Sequence, residues 1–84
     1  TDPSEAEFRE LFRRICPKLG FEFDARCIDY VMEKHYRSAG RPLRCCQPRD
    51  LLLQVRNHCL YQGIPPSLSP AHFDFAVENY FAVM

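Results

Sequence analysis

The chain contains 84 residues, 46% of them hydrophobic, and eleven basic side chains balance eleven acidic ones to give a formal net charge of zero. A neutral chain creates no overall field that would draw it to nucleic acid or to an anionic membrane, so any electrostatic function is expected to be local. At this length we predict one domain, residues 1–84, with a single small core.

The first predicted helix has Asp2 as its N-cap and Pro3 at its first position. Apolar residues then follow at helical spacing, namely Phe8, Leu11, Phe12, Ile15 and Leu19. Pro17 removes a backbone donor and crowds the carbonyl of Arg13. We therefore predict that the helix ends before Gly20 and that its last turn is kinked or stops near Cys16.

The second predicted helix begins after Asp24, whose carboxylate can cap it. Phe23 and Ile28 have the spacing of a hydrophobic staple across this start. The buried stripe is predicted to continue through Cys27, Val31, Met32 and either His35 or Tyr36. Gly40, followed by Pro42, is expected to end the helix.

The third predicted helix opens with Gln47 and Pro48 and stops at Gly63. Its apolar positions are Leu51, Leu52, Val55 and Cys59, with Leu60 as a possible continuation. The connection that precedes it, residues 40–47, is expected to be an ordered loop anchored by Leu43.

The fourth predicted helix follows Ser69 and Pro70, with Leu68 and Phe73 spaced as a second hydrophobic staple. Its inner face is predicted to carry Val77, Tyr80, Phe81 and Met84. Since no segment alternates with the period of a strand, the predicted fold class is all-α, a compact bundle of four short helices.

The five cysteines do not indicate a disulfide framework. Their number is odd, Cys45 and Cys46 are adjacent, and the other three fall at apolar helix positions. We predict reduced thiols that behave as small hydrophobes. No apolar run reaches the roughly 18 residues of a membrane span and no leader pattern is evident, so we expect no membrane contact and a cytoplasmic location.

Motifs for chemistry are sparse. The chain has no glycine-rich phosphate loop, no G-x-S-x-G and no H-E-x-x-H segment, so catalysis by this chain alone is not expected. A thiol paired with an imidazole as nucleophile and base is less favoured than buried thiols and surface histidines, because nothing in the sequence fixes their mutual geometry. A zinc site built from Cys45, Cys46, His58 and Cys59 is also less favoured, because zinc sites usually space two ligands two to four residues apart.

The distribution of basic residues gives a clearer signal. Six of them lie between positions 34 and 56 together with one acid, Asp50: they are Lys34, Arg37, Arg41, Arg44, Arg49 and Arg56. Arg49 falls in the first turn of the third helix, where the macrodipole disfavours a cation by about 0.3–1 kcal/mol. It is either a solvated arginine offset by Asp50 or half of an anion site formed with free backbone amides.

The stretch "CQPRDLLLQVRNHC" resembles the third helix of the C-terminal helical domain, or lid, of AAA+ ATPases. In that family the helix opens with a proline or small residue and an arginine called sensor 2, and "PRDLL" is similar to this pattern. The segments "FRELFRRI", "FDARCIDYVMEKHY" and "LSPAHFDFAVENYF" resemble the other lid helices, so the resemblance covers nearly the whole chain.

The resemblance implies that residues 1–84 are the lid of a larger ATPase that binds ATP with magnesium. It implies that Arg49 reaches the phosphates of ATP, with Arg44 and Arg41 as secondary contacts to phosphate or to the core. It implies two partners, the nucleotide-binding core of the same chain and the neighbouring subunits of an oligomeric ring.

Two other function classes stay open. A protein-interaction bundle would dock a partner helix on exposed Phe21, Tyr61, Ile64 and Leu53, with the arginines as a polar rim. DNA binding is less favoured, because the start of the third helix shows three consecutive leucines from Leu51 where a recognition helix shows polar side chains.

Overall fold

The computed structural model describes residues 2–82 of the chain. This region forms a compact bundle of four α-helices and contains no strand, so the predicted all-α fold class is confirmed. The helices are α1 (Glu5–Lys18), α2 (Ala25–Val31), which continues into a π-helical segment (Met32–Arg37), α3 (Gln47–Gln62) and α4 (Pro70–Ala82). α3 packs against α1 and α4, and α2 packs against α4.

One hydrophobic core lies between these helices. Its largest fully buried side chains are Tyr36, Phe8, Phe12, Phe73, Ile28, Met32, Leu51 and Leu52. Several of the aromatic rings meet edge to face, including Phe8 with Tyr36 at 5.0 Å and Phe12 with Phe73 at 6.0 Å between centroids. Rings from α1, α4 and the π-helical segment thus fix these elements against one another.

α1 begins two residues later than predicted. Ser4 is the N-cap, and its hydroxyl accepts a hydrogen bond from the Glu7 amide while the Glu7 carboxylate accepts one from the Ser4 amide. This reciprocal pair satisfies two of the amides left open at the start of a helix. The prediction of Asp2 as the cap was therefore wrong, and Pro3 precedes the helix.

α1 ends at Lys18, before Gly20 as predicted, and Pro17 lies in its last turn, so the helix does not stop near Cys16. A proline at this point withholds a single hydrogen bond, so the helix tolerates it. The next amides close the end, because the Leu19 amide donates to the Cys16 carbonyl at 3.1 Å and the Phe21 amide donates to the same carbonyl at 2.9 Å.

The predicted cap of α2 is confirmed. Asp24 Oδ1 accepts hydrogen bonds from the amides of Arg26 and Cys27, at 3.0 and 3.3 Å. After Val31 the backbone widens into the π-helical segment, which buries both His35 and Tyr36 instead of one of them. The chain then turns at Gly40, where φ is 66°.

α3 has the predicted boundaries, from Gln47 to Gln62, and Gly63 ends it in the left-handed conformation at φ 74°. Leu60 does not extend the buried stripe, since 62% of it is exposed. Leu43 packs half-buried against the core, as predicted for the preceding loop.

α4 buries Phe73 and Val77, while Tyr80 and Phe81 are half-buried against the core. The predicted inner position of Met84 lies outside the described residues. No helix within residues 2–82 is long and apolar enough to cross a membrane.

Candidate anion-binding site

The start of α3 has no side-chain cap. Cys46 precedes the helix in a helical conformation, with φ −78° and ψ −19°, and its side chain makes no capping hydrogen bond. The Gln47 amide donates to the Arg44 carbonyl and Pro48 has no amide to donate. The next amide, that of Arg49, has no hydrogen-bond partner within residues 2–82. One backbone donor is therefore left at the positive end of a 16-residue helix.

The Arg49 side chain stands beside this donor. It is exposed, and it forms neither a hydrogen bond nor an ion pair with the part of the chain that the structure describes. Asp50, which the sequence offered as its counter-charge, instead accepts a hydrogen bond from the Tyr80 hydroxyl at 3.0 Å. Arg49 therefore offers an anion two donors, its backbone amide and its guanidinium, at the end of a helix where anions bind.

Arg44, the first of the predicted secondary residues, is already paired. Its Nη1 lies 2.5 Å from Asp2 Oδ2, and both side chains are at least half exposed. An exposed pair of this kind contributes only about 0–1 kcal/mol to stability.

Arg41, the other secondary residue, contacts two other parts of the bundle. Its Nη1 donates a hydrogen bond to the His35 carbonyl at 2.9 Å, and its guanidinium lies over the Phe81 ring at 4.2 Å from the centroid. A guanidinium stacked on a ring and bonded to a carbonyl is held by the fold. Arg41 therefore links the π-helical segment to α4, and its contact with phosphate or with the core stays a prediction.

Sequence reasoning missed a polar cluster at the junction of the π-helical segment and α4. Asp74 accepts hydrogen bonds from Tyr30, Lys34 and His35 at distances of 2.7–3.3 Å. Partial burial alone would raise the pKa of Asp74, but these hydrogen bonds outweigh it and hold the pKa below its ordinary value. The available signal was the helical spacing of Tyr30 and Lys34, which gave no indication of Asp74.

The thiol and imidazole nearest to one another are Cys59 Sγ and His72 Nδ1, at 3.6 Å. His72 Nδ1 also lies 3.0 Å from the Ser67 carbonyl oxygen, which can only accept, so this nitrogen carries the proton and donates it there. It cannot at the same time take a proton from the thiol. Cys59 is also fully buried, and the pair therefore does not form a nucleophile with its base.

The predicted state of the cysteines agrees with the structure: all five are free, and Cys16, Cys27 and Cys59 are buried. Cys45 and Cys46 are exposed at the start of α3. His58 stacks on Phe75 with 4.0 Å between ring centroids. Among the described residues, no three metal-ligating side chains are grouped so as to hold a metal ion.

The surface expected for protein interaction is partly present. Phe21 is only 4% exposed, because its amide bonds the end of α1 and its ring packs into the core, so its predicted exposure was wrong. Tyr61 is 91% exposed, Ile64 is 37% exposed and Leu53 is half-buried. Exposed apolar side chains therefore concentrate at the C-terminal end of α3.

The fold and the site define a small all-α domain with an uncapped, arginine-bearing helix start on its surface. Residues 4–79 match a family described as a domain of unknown function (DUF8689), and the chain belongs to this family. No curated protein and no solved structure matches it.

Proposed function

We propose that this domain is the lid of a AAA+ ATPase and that Arg49 acts as its sensor 2 arginine. In this role the domain closes over ATP and magnesium held by the nucleotide-binding core of the same chain. The difference between bound ATP and ADP is then passed to neighbouring subunits of a ring as a rigid-body rotation of the lid. A cytoplasmic location is part of the same proposal.

The observation that carries the proposal is the state of Arg49. It is exposed at the third position of an uncapped helix and has no internal partner within residues 2–82, while Arg41 is held by Phe81 and the His35 carbonyl. A phosphate oxygen is the acceptor that suits a guanidinium and a free amide together. The resemblance of "PRDLL" to the sensor 2 segment supports the same assignment.

The residues present fit one side of a nucleotide site. The described part of the chain offers donors for phosphate at the start of α3 and no grouped carboxylates for magnesium. The metal ligands and the phosphate loop would therefore come from the core. Arg49 would supply the charge that stabilises the phosphate oxygens as negative charge develops on them.

The test compares two variants of the full-length protein, Arg49→Ala and Arg26→Ala. Arg26 is a matched control, because it is also exposed in the first turn of a helix and also lacks an ion pair within the described residues. We expect Arg49→Ala to weaken binding of a fluorescent ATP analogue, or to slow ATP turnover, by about tenfold or more, in line with the roughly 1.5–3 kcal/mol of a charge-assisted hydrogen bond. Arg26→Ala should leave both unchanged. Equal nucleotide affinity and equal turnover in the wild type and both variants would overturn the proposal.

A protein-interaction module is the second candidate, and the exposed leucine and tyrosine at the end of α3 favour it. Leu60 is 62% and Tyr61 is 91% exposed, although both lie on a helix whose other face fills the core. The two functions do not exclude each other, because the apolar end of α3 lies three turns from Arg49.

A further inference from the structure

Two histidines face each other where α3 and α4 meet the loop that joins them. His58 lies near the end of α3 and His72 in the first turn of α4, and their ring centroids are 5.5 Å apart with the planes at 76°. Both side chains are half-buried. Two imidazoles that bind one tetrahedral ion through nitrogens at about 2.0–2.1 Å hold their ring centres roughly 5 Å apart. The spacing of His58 and His72 is therefore close to that of two ligands of one ion.

His72 is held in the way that is usual for metal-binding histidines. Its backbone amide donates to the Ser69 hydroxyl at 3.1 Å, and its Nδ1 donates to the Ser67 carbonyl at 3.0 Å. Because the proton is on Nδ1, Nε2 carries the lone pair that a metal ion needs, and the ring is kept in one orientation. Nε2 forms no hydrogen bond within residues 2–82 and is not enclosed, so an ion can reach it.

His58 is held by a neighbouring ring instead of a hydrogen bond. It stacks on Phe75 of α4, with 4.0 Å between the ring centroids and 23° between the planes. In the part of the chain that the structure describes, neither ring nitrogen of His58 has a hydrogen-bond partner, and neither is enclosed. The stacking restricts the ring while the nitrogens stay available. A ligand ordered in this way loses little further entropy when it binds an ion.

We infer that His58 and His72 together bind a divalent transition-metal ion such as Zn²⁺, which ties α3 to α4. Imidazole nitrogens suit Zn²⁺, Cu²⁺ and Ni²⁺, whereas Mg²⁺ and Ca²⁺ prefer oxygen ligands. No third metal-ligating side chain is grouped with the two histidines among residues 2–82, so water completes the coordination of the ion. The inference does not rest on the nucleotide role of Arg49, because the site uses no residue from the start of α3 and takes a different class of ion from the magnesium that accompanies ATP.

The test titrates the chain with Zn²⁺ alone and follows binding by calorimetry and by the ring resonances of the histidines. The reference protein carries Cys45→Ser and Cys46→Ser, because these exposed thiols would otherwise compete for the ion. One ion should bind per chain, the resonances of His58 and His72 should shift, and the melting temperature should rise with the Zn²⁺ concentration. His35, which is buried in the π-helical segment, is the internal control and should not shift. Mg²⁺ at the same concentrations should have no effect.

Two variants remove the ligands and keep the packing around them. In His58→Phe the ring still stacks on Phe75 but has no nitrogen, and in His72→Asn the side-chain amide can replace Nδ1 as the donor to the Ser67 carbonyl. Each variant should weaken Zn²⁺ binding by about tenfold or more, since even the loss of a group that only orients a ligand costs roughly 10–100-fold in metal affinity. The double variant should bind no more weakly than either single variant, because both residues belong to one site.

Thermal melts without metal show whether the variants are folded, and either variant alone decides the result if the other does not fold. Four outcomes would each overturn the inference: no binding by the reference protein, full affinity in a folded single variant, a further loss in the double variant, or shifts confined to other residues. Nucleotide binding by His58→Phe should equal that of the wild type, which separates this result from the test of Arg49.

Discussion

His35 Nε2 lies 2.7 Å from Asp74 Oδ1, and this contact joins the π-helical segment to α4 across 39 positions of the chain. His35 is only 7% exposed, whereas the Asp74 side chain is about one-third exposed. Tyr30 and Lys34 donate to the same carboxylate, so Asp74 accepts hydrogen bonds from three side chains of α2 and the π-helical segment. Helix α4 is thereby held to the π-helical segment by charge as well as by core packing.

The first prediction concerns the pH dependence of this cluster. The pKa of Asp74 is lowered in the folded protein from its ordinary value of 3.8, since the hydrogen bonds it accepts outweigh the effect of burial. A lowered folded pKa stabilises the protein above the unfolded pKa, and this contribution is lost as the pH falls through the folded value. Asp74→Asn should therefore reduce the free energy of unfolding near neutral pH by about 1–3 kcal/mol.

Urea unfolding at a series of pH values checks this prediction. The difference between Asp74→Asn and the wild type should shrink as the pH falls from about 4, where the carboxyl of the unfolded chain takes up its proton, through the lower pKa of the folded protein, where the folded carboxyl also becomes neutral. Glu78→Gln is the control, since Glu78 is an exposed carboxylate on the same helix that forms no ion pair within residues 2–82. A constant difference at all pH values would contradict the assignment to the Asp74 charge.

The second prediction concerns the buried hydroxyl of Tyr36. This hydroxyl donates to Gln47 Oε1 at 2.9 Å, and Tyr36 and Gln47 are 2% and 5% exposed. Tyr36→Phe leaves a buried amide oxygen without its donor, which should lower the free energy of unfolding by about 1–2 kcal/mol. Chemical denaturation with a two-state fit measures it.

Tyr80→Phe is the matched control for this change. It removes the hydroxyl that donates to Asp50 at 3.0 Å, but both side chains are only half-buried, so water can replace the hydroxyl. We expect a loss of less than about 1 kcal/mol. An equal loss of unfolding free energy in Tyr36→Phe and Tyr80→Phe would show that burial of the acceptor does not determine the size of this loss.

How far the sequence predicts this fold depends on whether the deciding contact is local. Asp24 and Gly63 mark helix ends by interactions within a few residues, and both were predicted correctly. The cap at Ser4 was missed in favour of Asp2, although the Ser4 and Glu7 pair is visible as a capping box in the sequence. Both the Asp2 cap and the capping box at Ser4 are local signals, and the sequence analysis chose the wrong one.

Contacts between distant residues decided the rest. Arg41 and Arg49 look alike in the sequence, yet Arg41 is held by Phe81, forty positions away, and Arg49 is exposed. Only the approach of α4 to the π-helical segment distinguishes them. Phe21 and Leu60 were misjudged for the same reason, since periodicity gives the face of a residue but not what packs against it.

The third prediction follows from the difference among the arginines before α3. Arg41→Ala removes a stacked guanidinium and a hydrogen bond to the His35 carbonyl, so it should lower the free energy of unfolding by about 1–3 kcal/mol. Arg44→Ala breaks only an exposed pair with Asp2 and should cost less than about 1 kcal/mol. Thermal and urea unfolding of the two variants give the comparison. A larger cost at Arg44 than at Arg41 would contradict the assigned roles.

The fourth prediction concerns the thiols. Burial raises the pKa of Cys16 to about 11 and, with a smaller contribution from Asp24, raises that of Cys27 to about 12. Cys59 is fully buried, whereas Cys45 and Cys46 are exposed. Because the thiolate is the reactive species and must reach the reagent, two of the five thiols should react promptly with a chromogenic aromatic disulfide under native conditions.

The other three thiols should react only as the bundle opens, at a rate that rises with added denaturant, and all five should react at once in the unfolded chain. Replacing both exposed cysteines, as Cys45→Ser with Cys46→Ser, should abolish the prompt phase and leave the slow phase unchanged. A prompt phase of three or more thiols in the native protein would show that the helix packing around Cys16, Cys27 or Cys59 is more open than the structure indicates, because a fully covered sulfur cannot be reached by the reagent.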